Sequence, residues 1–187
     1  MEPGMLVCGI DEAGRGPLAG PVCAAAVILG EGFPVELLND SKKMTALRRK
    51  EVHQIICLQA LAFGVGWASH TEIDELNILQ ASLLAMKRAF EDMIKKTDIN
   101  VTVIVDGTFV PNLNVPCQAV VKADGKIVQV MAASIVAKHE RDLYMEKMAQ
   151  LYPLYGYEKH KGYPTKSHKE AILKFGPSPI QRLTFRC

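Results

Sequence analysis

Asp11 and Glu12 stand side by side at the end of an apolar run, and Gly14-Arg15-Gly16-Pro17 follows one residue later. Adjacent carboxylates repel and glycines forfeit packing, so a bound species that offsets both costs is expected here. Two further acids follow apolar runs: Asp106 after Val101-Thr102-Val103-Ile104-Val105, and Asp124 after Gln118–Lys122 and Ala123. In open α/β sheets, ligand sites form beyond the carboxyl ends of strands. If these strands are neighbours, Asp11, Glu12, Asp106 and Asp124 converge on one spot. Four carboxylates together make a hard-oxygen site suited to Mg²⁺ or Mn²⁺. Each acid also has a simpler reading, because Asp-Gly after a strand is a common turn. That reading is preferred for Asp124-Gly125 alone, stands level for Asp106-Gly107, and is weak for Asp11-Glu12. The three coincidences together favour a metal site. Zinc is disfavoured, since no Cys/His pair has ligand spacing.

Gly14-Arg15-Gly16-Pro17-Leu18-Ala19 literally fits the loose dinucleotide fingerprint G-x-G-x-x-G/A. That fingerprint needs a helix N-terminus to hold pyrophosphate. Here Pro17 and Pro21 flank the run, and the preceding acids would repel pyrophosphate unless a metal intervened. The better reading is a tight loop whose bare backbone admits a phosphodiester, with Arg15 contacting it. Lys42, Lys43, Arg48 and Arg49 offer further phosphate contacts, or else form the solvated start of a helix.

The elements that must position these residues follow from periodicity. Met5–Ile10, 21–29, 62–68, Val101–Val105 and Gln118–Lys122 read as strands. Thr45–Ala60, Ile78–Lys96, 127–150 and Thr165–Phe175 read as helices, with Lys138, Glu140 and Arg141 on the wet side of the third. A polar, aromatic loop spans 152–164, and the segment after Gly176 reads as a loose tail. Strands alternating with helices indicate an α/β domain with a central sheet. At 187 residues, one domain covers the chain. With 49% apolar and 22% charged residues and a net charge of only +2, any nucleic-acid affinity must come from a local patch. The five cysteines, Cys8, Cys23, Cys57, Cys117 and Cys187, read as small buried hydrophobes in a reducing compartment. His139, His160 and His168 read as surface groups. No apolar stretch approaches the roughly 18 residues that span a bilayer, so a cytoplasmic protein is expected.

Gly9-Ile10-Asp11-Glu12-Ala13-Gly14-Arg15-Gly16-Pro17-Leu18-Ala19-Gly20-Pro21 resembles the signature of bacterial ribonuclease HII. The resemblance continues in order through Asp40-Ser41-Lys42-Lys43, Asp106-Gly107, Lys122-Ala123-Asp124, 132–138 with Arg141-Asp142, and His160-Lys161-Gly162-Tyr163-Pro164-Thr165. It implies a ribonuclease H-like mixed sheet flanked by helices, with a helical C-terminal part over 165–187. It also implies endonucleolytic cleavage of RNA in RNA–DNA hybrids and at single ribonucleotides in duplex DNA. Asp11, Glu12, Asp106 and Asp124 would be the catalytic, metal-holding acids. Gly14, Arg15, Gly16 and Tyr163 would recognise the ribonucleotide junction, with Lys42 and Lys43 on phosphates. Without the flanking His160, Lys161 and Lys166, which offer phosphate contacts of their own, Tyr163 would read as an ordinary loop aromatic. Near the C-terminus the family often carries His-Arg where this chain has Gln181-Arg182, which puts the tail's contribution to binding in question. Asp142 reads as a helix-surface ion pair rather than a fifth catalytic acid. A monomer is expected. Two competing readings are another metal-dependent nuclease or strand-transfer enzyme on this fold, and a non-enzymatic hybrid-binding module.

Overall fold

The structure, a computed structural model, describes residues 5–39, 41–97 and 100–186. Asp40 and Cys187 lie outside them. The first two strands, β1 (Leu6–Ala13) and β2 (Val22–Leu29), pair antiparallel, and α1 (Ala46–Gln59) leads into β3 (Ala60–Ala68), antiparallel to β2. Next come α2 (His70–Leu76) and α3 (Ile78–Ile94), then β4 (Val101–Asp106), parallel to β1, and β5 (Cys117–Val120), parallel to β4. The chain finishes with α4 (Val128–Leu151), the single turn α5 (Tyr157–His160) and α6 (Lys166–Phe175). The sheet order is β3-β2-β1-β4-β5, so β1 is central.

Side-chain alternation along the strands builds two cores. Cys8, Ile10, Val103 and Val105 face α3, while Ala25 and Val27 face α1 and α4. α4 lies directly on the central strand. A β-carbon on Gly9 would sit 2.2 Å from the Gln129 backbone, so only glycine permits that approach.

Several expectations need correction. β1 does not stop at Ile10 but carries Asp11 and Glu12 inside it, and β5 ends at Val120, leaving Asp124 in a 3₁₀ turn over Ala123–Gly125. α2 has no counterpart in the reading of the sequence, because it buries only Ile73 and shows no apolar period. Its start depends on a capping box between Ser69 and Glu72. Arg141, expected in water, is 1% exposed. His160 and His168 are buried too, with their rings stacked 4.5 Å apart. His139 is half-buried. Cys8 and Cys23 are buried as expected, whereas Cys57 and Cys117 are half-buried.

The segment after Gly176 is not loose. Ile180 joins Ala19, Met145, Tyr155 and Tyr157 in a third apolar cluster, and Gln181 bridges antiparallel to Ala19. Burial of Ile180 and the hydrogen bond from Arg182 N to Leu18 O, 2.9 Å, fasten the tail to the glycine loop.

Candidate active site

Parallel pairing places Ile10 opposite Val105, so Asp11 and Asp106 stand one residue further along on adjacent strands and share the α4 face. The Asp106 carboxylate accepts a hydrogen bond from Ala123 N at 2.7 Å, which draws the 3₁₀ turn and Asp124 toward it. One carboxylate oxygen from each of Asp11, Asp106 and Asp124 lies within 4.8 Å of the others. Glu12, next to Asp11 at the end of β1, is not part of that close trio; its Oε1 stands 3.4 Å from Arg15 and its Oε2 is buried with no partner.

The electrostatics are those of crowded acids. Burial first, then the charges of Glu12 and Asp106, push the Asp11 carboxyl well above its usual range, against hydrogen bonds from Glu12 N and Ser134. Burial raises Glu12 as well; Arg15 opposes the shift and Asp106 adds to it. Lys42 Nζ sits 3.3 Å from Asp124 but is largely in solvent, so screening weakens that pair. The donors are all carboxylate oxygens, and one buried oxygen lacks a partner; both features fit a hard divalent cation.

Beside the acids lies a hollow of about 210 Å³, lined by Glu12, the glycine loop, Lys42 and Tyr163. Sequence reasoning did not single out three more of its walls: Ser41, Ser134 and Lys138. Ser41 and Ser134 bond to each other at 2.7 Å, and Lys138 Nζ lies 5.9 Å from the Tyr163 ring centre. Ser134 and Lys138 fall within the 132–138 block, so their signal was one helical turn on α4 facing Asp11. Lys43 does not join Lys42; it borders a separate hollow with Arg48. Arg49 is buried and structural, donating to Ser41 O, Met44 O and Asp142. Asp142 is an ion-pair residue as expected, though half-buried, with Lys138 at 2.6 Å and Arg49 at 3.2 Å.

Two buried arginines hold the glycine loop. Arg182 donates from Nη2 to Gly14 O at 2.6 Å and Pro21 O at 3.2 Å, from Nη1 to Arg15 O at 3.0 Å, and from Nε to Gly20 O at 2.8 Å. Arg141 donates to Pro21 O, Ala19 O and Lys161 O. Gly14 takes φ +102°, and a β-carbon there would fall 2.0 Å from Arg141 Nε, so both its backbone and its contact exclude other residues. A single sequence gives no such signal, because an arginine that caps carbonyls looks like any surface arginine.

The fold matches solved ribonucleases. The ribonuclease H2 of Pyrococcus horikoshii OT3 aligns with TM-score 0.76 and 28% identity, covering 97% of this chain and 94% of that one. The Mn²⁺ complex of Bst-RNase HIII aligns with TM-score 0.80 and 17% identity, covering 97% and 67%, a likeness of fold alone. The class is therefore the ribonuclease H-like α/β nucleases. Residues 8–187 match the Ribonuclease HII family profile. The chain is 52% identical to the Ribonuclease HII of Treponema denticola, over 96% of this chain and 98% of that one, and 52% identical to that of Dechloromonas aromatica, over 96% and 90%. It belongs to the ribonuclease HII family and is a metal-dependent endoribonuclease acting on RNA–DNA hybrids.

Proposed function

We propose that the chain is one catalytic domain that cuts duplex DNA on the 5′ side of an embedded ribonucleotide, with Asp11, Glu12, Asp106 and Asp124 holding Mg²⁺ or Mn²⁺. The observation that carries this is the convergence of Asp11, Asp106 and Asp124 within 4.8 Å beside a glycine loop fixed from behind. A pair of bound ions would supply charge for the scissile phosphate and a more acidic attacking water.

The protein's own groups do the rest. The Gly14 and Gly16 backbone leaves room for a ribose and reads its 2′-hydroxyl. Arg15, half in solvent, contacts the phosphate, with Lys42 as a weaker neighbour and Lys43 set apart from it. The Tyr163 ring, 40% exposed at the rim, stacks on the next sugar and prefers one without a hydroxyl. Water adds to phosphorus and the upstream O3′ leaves, giving a 5′-phosphate on the ribonucleotide and a 3′-hydroxyl on the other fragment. The protein works as a monomer in the cytoplasm, and no described helix is long and apolar enough to cross a membrane.

A labelled duplex with one ribonucleotide, run beside a uniform hybrid, tests this. Cleavage should fall 5′ of the ribonucleotide, and Tyr163→Ala should narrow the preference for the junction. Full retention of that preference by Tyr163→Ala would remove the junction-reading role.

A further inference from the structure

Arg15 and Asp106 border a second hollow that the proposed function leaves unused. It holds about 130 Å³ on the α3 side of the sheet end, well below the ~300–1,000 Å³ of pockets that enclose drug-sized molecules. Its rim comes from two loops: Phe109 follows β4 and Val121 follows β5, and they are 55% and 56% exposed. Leu79 and Leu83 of α3 form the back wall, and Ser82 lies buried below them with an unpartnered hydroxyl. An apolar rim assembled from separate segments against a carboxylate cluster is a built surface, continuous with the site.

We propose that this hollow seats the sugar of the nucleotide on the 5′ side of the scissile phosphate, the one whose O3′ leaves, with the Phe109 ring against it. The inference rests on the proposed function. If the glycine loop and Tyr163 take the ribonucleotide and its 3′ neighbour, and the phosphate lies on the acids, the strand continues upstream past Asp106. The hollow lies there. With its C2′ turned to the rim, the sugar is favoured without a 2′-hydroxyl, because a hydroxyl pressed against Phe109 and Val121 loses its water there, while the hollow's own polar side chains, Ser82 and Thr108, are left to the sugar's other face. Three sugars are then read: deoxyribose upstream, ribose at the cut, deoxyribose downstream. That combination is a lone ribonucleotide within DNA.

The test uses the full chain with Mn²⁺ and two duplexes of one sequence, dN-rN-dN and rN-rN-dN, cut at the same phosphate. Wild type should show kcat/KM about fivefold higher for the deoxyribose upstream, the lower end of what an unpaired buried hydroxyl costs. Phe109→Ala should bring the ratio close to one without moving the cut, and Phe109→Leu should keep most of it. Val121→Ser, on the other loop, should shift the ratio in the same direction as Phe109→Ala. Tyr163→Ala, on the far side of the acids, should leave it unchanged. A wild-type ratio of one or below, or a Phe109→Ala protein that keeps the wild-type ratio, overturns this subsite. Failure of the underlying reading looks different: neither duplex is cut 5′ of its ribonucleotide.

Discussion

The glycine loop and the carboxylate cluster adjoin in sequence and in space, yet they are held in opposite ways. The carbonyls of Gly14, Arg15, Gly20 and Pro21 are saturated by donors from Arg182, with Arg141 adding a second bond to Pro21. The cluster has too little positive charge: Asp11 is buried among other acids, and Glu12 keeps an oxygen without a partner. A loop whose buried carbonyls are capped by two guanidinium groups is held in place before anything binds. A region of unsatisfied, repelling charge is stabilised by whatever cation enters it. Under the proposed function, recognition of the sugar would be built into the apoprotein, while hydrolysis awaits metal.

The largest expected effect breaks the cluster and leaves the loop. Asp106→Asn should lower cleavage at least ~1,000-fold, the loss that corresponds to several kcal/mol of transition-state stabilisation. Because the Asp106 charge raises both Asp11 and Glu12, the metal-free variant should melt no lower than wild type. Near-native turnover by a folded variant would remove the metal-site account.

The converse change breaks the loop and leaves the cluster. Arg182→Ala strands buried carbonyls and should cost about 3–5 kcal/mol, given ~1–3 for each unsatisfied group and incomplete additivity. That corresponds to a melting temperature lower by about 10 °C. Arg182→Lys should recover only part, since one ammonium cannot reproduce the guanidinium fork. Calorimetry on the three proteins checks this, and an unchanged Arg182→Ala transition would mean the tail does not hold the loop.

A smaller effect sharpens the contrast. Mg²⁺ or Mn²⁺ at ~100 times its dissociation constant should add about 2.7 kcal/mol, or ~5–10 °C, to wild type. The quadruple change of Asp11, Glu12, Asp106 and Asp124 to Asn or Gln should abolish that response. An equal shift in both proteins would place the ions elsewhere.

The smallest effect lies outside both regions. Burial opposes protonation of His53, but hydrogen bonds with Cys57 and Glu140 outweigh it and lift the ring to about 9. A raised pKa means stability fully present below the ordinary value near 6.5 and lost as pH rises through about 9. The melting temperature should fall by a few degrees across that window, and His53→Gln should flatten the slope.

The strongly periodic elements were legible: α3 from its apolar stripe and β4 from its unbroken run ending at Asp106. The acids were legible because a carboxylate following an apolar run is a local pattern. What escaped was long-range or unpatterned. α2 rests on the cap at Ser69, and Arg141 looked wet because neighbours that bury it, Pro21 and Lys161, are far off in sequence. The tail after Gly176 looked loose because Arg182 finds its partners 161 to 168 residues away. Glu12 reads with the other acids by adjacency; it stands outside the close trio, with Arg15 at 3.4 Å, yet it lines the same hollow and its carboxyl feels the Asp106 charge.

The most direct test of the preformed loop is equilibrium binding in EDTA. One duplex carries a single ribonucleotide and the other has the same sequence entirely in DNA. A loop already set to read the 2′-hydroxyl predicts about tenfold tighter binding to the first, the value of one or two net hydrogen bonds, with no cleavage until Mg²⁺ or Mn²⁺ is added. Equal affinities in EDTA, with discrimination arising only once metal is present, would contradict the account.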